Sequence, residues 1–182
     1  MPAKKQITRE MILSAALKLL REGGIEAVNV KMLARELNCS TQPIYLSFSG
    51  MNELRTELTA KAVELFTQKM KCAGTSSPDL FGMSYIHFAM TEKELFRYLF
   101  MRSNALSEIK EALVPMMERS ISELMEKYNI NHAEADYLHD QLWMHTHGIA
   151  AMIATDYCDW DMSKAQRMLN RCQKALVREY EA

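Results

Sequence analysis

The sequence predicts an all-α protein of about nine helices, in which an N-terminal three-helix head precedes a helical-bundle body. Two observations support this prediction. Only 4 Pro and 6 Gly interrupt the 182 residues while Met reaches 15, and apolar residues recur at helical spacing along most of the chain. We expect one domain at 1–50 and a second at 51–182. A head of about 50 residues is marginal alone, so we expect it to pack on its neighbour.

Composition narrows the class of protein. A hydrophobic fraction of 48% and a charged fraction of 25% are typical of a globular protein. The sequence has no apolar run of about 18 residues and no signal-peptide core, so we expect a cytoplasmic protein without membrane contact. Its four cysteines are scattered without a CxxC pair, which favours reduced thiols. We expect no metal site and no cofactor.

The charge distribution distinguishes the head from the rest. Residues 1–47 hold seven Lys/Arg against four Glu, for a net charge of +3. The remainder holds 15 basic and 19 acidic residues, for a net charge of −4. A basic end on a mildly acidic body is typical of a phosphate-binding module joined to a regulatory body.

The head begins with a helix from Thr8 to Arg21, with Thr8 as its N-cap and Gly23-Gly24 as its stop. The stretch 29–49 then predicts two short helices joined by a tight turn. Asn29 is expected to cap the first of them and Ser40 the second, with Asn38 in the left-handed conformation between them. Ile44 and Phe48, four residues apart, should face inward.

The second of these short helices leaves polar side chains pointing outward. Gln and Thr can hydrogen-bond to base edges or phosphates, while Tyr and Ser hydroxyls can donate to phosphate oxygens. Lys4 and Arg9 are expected to be free to reach a polyanion. The predicted DNA-binding residues are Lys5, Lys31, Ser40, Thr41, Gln42, Pro43, Tyr45 and Ser47.

Six further helices and one linker are predicted in the body. The first body helix opens at Ser49 or Gly50 and extends to about Cys72, and residues 73–77 form a linker. Capping boxes are expected at 91–94, 131–134 and 163–166, each beginning a helix. Pro115 should kink a longer helix or mark its start. The helix from His132 to about Thr155 carries His139 on a strip that we expect to be a solvated polar face.

The head resembles the TetR family of bacterial one-component regulators. The motifs that carry this resemblance are Gly23-Gly24 followed by Val28, Leu-Ala-Arg-Glu-Leu at 33–37, Cys39-Ser40 with Ile44-Tyr45 and Phe48, and Asn-Glu-Leu at 52–54. The resemblance implies that the third helix enters the major groove and the fourth leads to an effector-binding body. Two departures are Asn38 where the family usually has Gly, and Met51 where it usually has a phosphate-contacting Lys.

The body is similar to the TetR subfamily that carries a Trp-His-Gly motif, here Trp143, His147 and Gly148. The similarity extends over the segments SYIHFAMTEKELFRYLFM and LWMHTHGIAAMI. It implies a pocket for a small-molecule effector, and the many Met side chains favour an adaptable one. The predicted pocket residues are Phe81, Tyr85, Phe100, Met101, Met117, Trp143 and His147.

Small side chains predict a helix–helix interface. Gly148, Ala151 and Thr155 continue a strip from Met144, and with the last helix they would form a four-helix interface in a two-fold homodimer. Two heads joined in this way match DNA half-sites about one helical turn apart. The predicted interface residues are Met144, Gly148, Ala151, Thr155, Met168, Cys172 and Leu176.

Together these features predict a ligand-responsive transcriptional regulator that is not an enzyme. The leading hypothesis is a repressor that a small-molecule effector of unknown identity releases from a palindromic operator. Two alternatives stay open. One is a helical partner-binding module with a degenerate DNA-binding head, for which Met51 is the only indication. The other is a small helical enzyme using His139, His145 or His147, although no catalytic motif accompanies these residues.

Overall fold

The computed structural model describes residues 6–72, 78–103 and 105–180. Over these residues the chain forms nine α-helices, one short 3₁₀ helix and no strand, which confirms the all-α prediction. Lys4, Lys5 and the predicted linker at 73–77 lie outside the described residues. The helices are α1 (Arg9–Ala27), α2 (Val30–Glu36), α3 (Gln42–Ser47), α4 (Met51–Cys72), α5 (Pro78–Thr91), α6 (Lys93–Phe100), α7 (Ala105–Tyr128), α8 (His132–Ala154) and α9 (Met162–Leu176), followed by the 3₁₀ helix Val177–Tyr180.

Contacts divide the chain into a head unit that ends at Leu65 and a body unit that begins at Phe66. Helix α4 contributes its first part to the head and its last part to the body. A boundary at residue 50 between independent domains therefore stays a prediction. None of the described helices is long and apolar enough to cross a lipid bilayer.

The local signals in the head are mostly the expected ones. The hydroxyl of Thr8 accepts a hydrogen bond from the Met11 amide at 3.2 Å, and the side chain of Asn29 accepts one from the Met32 amide at 3.1 Å. Gly24 interrupts α1 with a φ of 72°, a conformation that Gly adopts without steric cost. Asn38 has a φ of 50°, as predicted for the turn.

The cap of α3 differs from the prediction. Thr41, rather than Ser40, is the residue that precedes the helix, and neither gives it a side-chain cap. Thr41 has a right-handed helical backbone, with a φ of −71° and a ψ of −18°. A capping side chain requires an extended backbone to reach the first amides, so Thr41 leaves its hydroxyl for other partners.

The body is built around α5 and α8, which pack against each other. Helix α5 also contacts α6 and α9, and α8 contacts α6, α7 and α9. A Cβ at Gly82 on α5 would lie 3.0 Å from Leu169 on α9, so Gly at this position permits the close approach of the two helices. Arg97 on α6 donates a 2.7 Å hydrogen bond to the Ala154 carbonyl at the end of α8, satisfying one of its last acceptors.

Two of the three predicted capping boxes are wrong. The box at Asn131 and Glu134 forms with both of its hydrogen bonds. The predicted box at 163–166 is replaced by Asp161, which accepts a hydrogen bond from the Lys164 amide at 2.7 Å and starts α9 two residues earlier. At 91–94 the Thr91 hydroxyl donates to the His87 carbonyl of the preceding helix instead of capping α6. Pro115 lies inside α7.

Candidate nucleic-acid interface

Helix α3 presents one face to solvent and anchors the opposite face in the head core. Ile44 and Phe48 are 2% and 3% exposed, as the spacing predicted. Tyr45 is 64% exposed and Leu46 is 79% exposed. Gln42 is exposed one turn earlier, so these side chains form a continuous outward face. A face of this kind can enter a groove while the core holds the helix in place.

The other predicted contact residues lie around this face. Thr41 and Ser40 are exposed in the turn before α3, and Lys31 is exposed on α2. Pro43 and Ser47 are half-buried, and Pro43 occupies the first turn, where its missing N–H leaves no helical hydrogen bond unmade. Lys5 lies outside the described residues.

Arg9 is not free to reach a polyanion, contrary to the prediction. Its guanidinium donates to the carboxylates of Glu53 and Glu57 on α4 and to the backbone carbonyl of Ser47 at the end of α3. It also lies over the Phe48 ring, 4.0 Å from the ring centroid. Arg9 therefore fixes the C-terminal end of α3 against α1 and α4 and is best described as a positioning residue.

Glu53 is the acceptor at the centre of this arrangement. Besides Arg9, its carboxylate accepts hydrogen bonds from the Ser49 amide at 2.6 Å and the Ser49 hydroxyl at 2.7 Å. The hydrogen bond from Arg9, followed by those from Ser49, lowers the pKa of Glu53 to about 2. The turn between α3 and α4 is thus held by an ionised carboxylate.

Three other cations of the head are available for phosphates. Lys31, Arg35 and Arg55 are exposed, and no carboxylate pairs with any of them among the described residues. Lys18, in contrast, pairs with Glu36 at 2.7 Å. Arg55 lies four residues after Met51 on α4, so it faces the same side of that helix as the position where the family usually has Lys.

The body contains an aromatic cluster centred on Tyr85, which is fully buried. Its ring lies 4.9 Å from Trp143, 5.1 Å from Phe100 and 5.3 Å from Phe96, measured between centroids. The Tyr85 hydroxyl and Nδ1 of His147 are 2.9 Å apart, so the only polar atom of this side chain is satisfied. Burial raises the pKa of Tyr85 and lowers the pKa of His147, which keeps both groups neutral.

Five of the seven predicted pocket residues are therefore divided between this cluster and two cavities. Phe81 lines both a cavity of about 260 Å³ and a smaller one of about 40 Å³, and Trp143 lines the smaller one. Tyr85, Phe100 and His147 belong to the aromatic cluster instead. Met101 and Met117 are exposed on the surface and line neither cavity.

His139 does not lie on a solvated face, contrary to the prediction. It is 8% exposed, and its Nδ1 lies 3.0 Å from the hydroxyl of Ser120 on α7. Burial lowers its pKa although Asp140 and Asp136 oppose the shift. Within the described part of the chain no group of three or more His, Cys, Asp or Glu side chains is arranged to hold a metal ion.

The predicted interface residues of α8 lie on an uncovered face. Met144 is 65% exposed, and a Cβ built at Gly148 would meet no atom within 4 Å. Ala151 is half-buried and Thr155 is exposed. On α9, Met168 and Cys172 are half-buried, whereas Leu176 packs against the chain's own cluster of Leu124, Leu138 and Val177.

Sequence analysis missed Leu46, Arg55 and the positioning role of Arg9. Leu46 was overlooked because it is apolar, although a large apolar side chain on the outward face of a recognition helix is itself a signal of contact with a base methyl group. Arg55 lies one turn beyond the position at which the family motif has its Lys, so the motif alone does not identify it. The partners of Arg9 lie 38 to 48 residues away in the chain, beyond any local pattern.

These features define a helix-turn-helix module: α2 and α3 meet at a left-handed Asn38, and α3 presents an outward polar and aromatic face. Residues 12–58 match the family model described as bacterial regulatory proteins, tetR family. The match covers the head alone, so the head is similar to the regulatory proteins of this family.

Two relatives extend the likeness over nearly the whole chain. An uncharacterized HTH-type transcriptional regulator of Haemophilus influenzae is 25% identical over 173 residues, covering 90% of this chain and 83% of that protein. The crystal structure of NalD, the secondary repressor of the MexAB-OprM multidrug efflux pump in Pseudomonas aeruginosa, aligns with a TM-score of 0.55 at 17% identity. The alignment covers 94% of this chain and 96% of NalD. At that identity the likeness to NalD establishes the fold.

Proposed function

We propose that this regulator is a cytoplasmic, homodimeric repressor that binds a palindromic operator and leaves it when a small molecule binds the body. The outward face of α3, formed by Thr41, Gln42, Tyr45 and Leu46, is the observation that carries the DNA-binding part. Gln42 is suited to the edge of an adenine and Leu46 to a thymine methyl. Repression is the working hypothesis because NalD, which shares the fold, is a repressor.

Contacts to the DNA phosphates come from the three exposed cations of the head that have no carboxylate partner among the described residues. Lys31 and Arg35 on α2 and Arg55 on α4 can each neutralise a phosphate, and every such contact adds salt-dependent affinity. Arg55 compensates for Met51, because its long side chain extends from the same side of α4 one turn later. The hydroxyls of Tyr45 and Thr41 add uncharged phosphate contacts.

Dimer formation is supported by the uncovered strip on α8. Met144 exposes a large apolar side chain, and no atom of the described residues occupies the space beside Gly148. A second copy related by a two-fold axis can fill this space from its own α8. Because Leu176 is engaged within its own body, the contribution of α9 to this interface comes from Met168 and Cys172.

Release by an effector follows from a difference in affinity between two conformations of the chain. An effector that binds the body better in a form whose heads do not match the operator shifts the population toward that form. The shift is limited by the ratio of the two affinities. Helix α4 contributes residues to both units, so it is the element through which such a change is expressed.

The test of DNA binding is selection of bound sequences from a random duplex pool at physiological salt. We expect an inverted repeat with half-sites about one helical turn apart. Replacing Gln42 and Tyr45 together by Ala should abolish retention of the selected DNA. The matched control is Tyr157→Ala, which removes another exposed tyrosine, this one from the body. A pool with no enriched sequence would sink the proposal.

The test of the dimer is sedimentation equilibrium of the full chain. We expect a dimer for the natural sequence and a monomer for Met144→Glu, because a charge at this position would be buried without a partner. Tyr157→Glu is the control for an added surface charge. If Met144→Glu remains a dimer, the interface lies elsewhere on the body.

A further inference from the structure

The larger cavity lies within the body unit, between the last turns of α4, the start of α5 and the middle of α7. Its volume is about 260 Å³, just below the range of cavities that hold drug-sized ligands, so its occupant has on the order of ten non-hydrogen atoms. The residues that line it come from three helices, so a bound molecule would contact α4, α5 and α7 together.

One part of the cavity wall is apolar. Met70 on α4 and Phe81 on α5 face Ala112, Pro115 and Met116 on α7. Phe81 supplies a flat surface, while the two methionine side chains can adjust to different shapes. This part of the wall suits a hydrocarbon chain or an aromatic ring.

The rest of the cavity wall carries a net positive charge. Arg119 Nε and Glu123 Oε1, one turn apart on α7, form an ion pair at 2.9 Å. Lys71, in the last turn of α4, has no carboxylate partner among the described residues. The three charged groups therefore leave one positive charge at the cavity, and Lys71 bears it.

A hydroxyl adds a second polar contact. Ser120 lines the cavity, and its Oγ lies 3.0 Å from His139 Nδ1. When the neutral imidazole donates from Nδ1, the hydroxyl proton of Ser120 is left to donate to a bound acceptor. The polar groups of the cavity thus offer donors and one cation to a ligand, and the acceptor Glu123 is occupied by Arg119.

We propose that this cavity binds a small apolar monocarboxylate, with the carboxylate at Lys71 and the apolar part between Phe81 and Met116. A carboxylate at the edge of an apolar cavity is stabilised by a nearby cation, and Lys71, which is exposed where it lines the cavity, is the cation without a carboxylate partner among the described residues. A ligand cation would instead meet the unopposed charge of Lys71 and be rejected. The identity of this ligand as the effector rests on the proposed function, whereas its binding does not.

The test is isothermal titration of the full chain, without DNA, against three probes of equal length: octanoate, 1-octanol and octylammonium. We expect octanoate to bind at least about tenfold more tightly than octylammonium, with 1-octanol between them. A parallel titration with 3-phenylpropionate distinguishes an aromatic from an aliphatic occupant within the same class. Equal binding of the three octyl probes, a preference for octylammonium, or no saturable binding of either carboxylate would each overturn the proposal.

Variants at Lys71 connect this preference to one side chain. Lys71→Met keeps the apolar length and should remove the advantage of octanoate over 1-octanol, while Lys71→Glu should reverse the preference toward octylammonium. The matched control is Lys110→Met, because Lys110 is an exposed lysine of α7 that does not line the cavity. An unchanged preference in Lys71→Met would overturn the assignment.

The outcome is separable from that of the DNA test. If octanoate binds but leaves operator affinity unchanged, the cavity assignment stands and release by this ligand fails. If neither carboxylate binds while the selected DNA is palindromic, the cavity assignment fails and DNA recognition stands. Operator affinity in the presence and absence of saturating octanoate, measured by fluorescence anisotropy, distinguishes these results.

Discussion

Polar contacts have different roles inside the head and inside the body. In the head, Arg9 joins three segments through hydrogen bonds to Ser47, Glu53 and Glu57, all of them at least partly open to solvent. In the body, Tyr85 is fully buried among aromatic rings and makes a single polar contact, to His147. In the head, directional bonds add to the burial of Ile44 and Phe48 in fixing the orientation of a six-residue helix. Ring packing supplies burial energy and tolerates small shifts.

Tyr85→Ala should have the largest effect. Truncating a fully buried aromatic residue costs about 3–5 kcal/mol, because the apolar contacts are lost and a cavity remains. Urea unfolding followed by tryptophan fluorescence measures this, since Trp143 lies against Tyr85. Tyr85→Phe keeps the ring and should cost only about 1 kcal/mol. Similar losses for the two variants would contradict a body held by ring packing.

Leu46→Ala should have the second largest effect. It should lower the affinity for the operator and leave the stability of the fold unchanged. Losing an apolar contact with one thymine methyl costs about 1 kcal/mol, or roughly a fivefold loss of affinity for the selected operator. Affinity for random DNA should stay unchanged, because the phosphate contacts remain. Fluorescence anisotropy titrations with the operator and with random DNA give the ratio of the two affinities. An equal loss for both would place Leu46 outside base recognition.

Arg9→Met should loosen α3 with little effect on the body. The variant keeps an apolar stem over Phe48 but loses every hydrogen bond of the guanidinium. We expect amide exchange in residues 42–48 to become roughly two- to fivefold faster, and this difference to shrink in 1 M salt. Lys18→Met, which breaks the Glu36 pair instead, is the control. Exchange in α8 should not change.

The smallest effect is a pH dependence confined to the head. Because the pKa of Glu53 is lowered to about 2 in the folded chain, its contribution to stability is complete above its ordinary pKa of 4.5. That contribution is lost as the pH falls from about 4.5 toward 2. Glu53→Gln should therefore melt below the natural protein at pH 6, and the difference in melting temperature should narrow below pH 4.5 and close near pH 2. A gap that is constant with pH would contradict the assignment.

The sequence predicted features governed by neighbouring residues and missed those governed by distant ones. Asn29, Asn38 and Asn131 act within four residues of themselves, and each adopts the predicted role. The box at Ser163 failed because Asp161 has the same capping chemistry two residues earlier.

The candidate site shows the same limit. The outward face of α3 follows from helical spacing, so it was predictable apart from Leu46. The role of Arg9 depends on carboxylates 44 and 48 residues away, which only the folded head brings near. The cavity likewise depends on three helices whose relative positions no local pattern specifies, so Lys71 and Arg119 were not among the predicted pocket residues.

Gly148 lowers the stability of its own helix, but it leaves room for the proposed contact with a second copy. A glycine inside a helix destabilises it by about 1 kcal/mol relative to alanine, and nothing in the chain's own described structure excludes a methyl group there. Gly148→Ala should therefore raise the stability of one copy and weaken the proposed pairing of two copies through this face. A glycine that is unfavourable for its own helix and touches nothing else in the described structure thus supports the proposed placement of the dimer contact at Gly148.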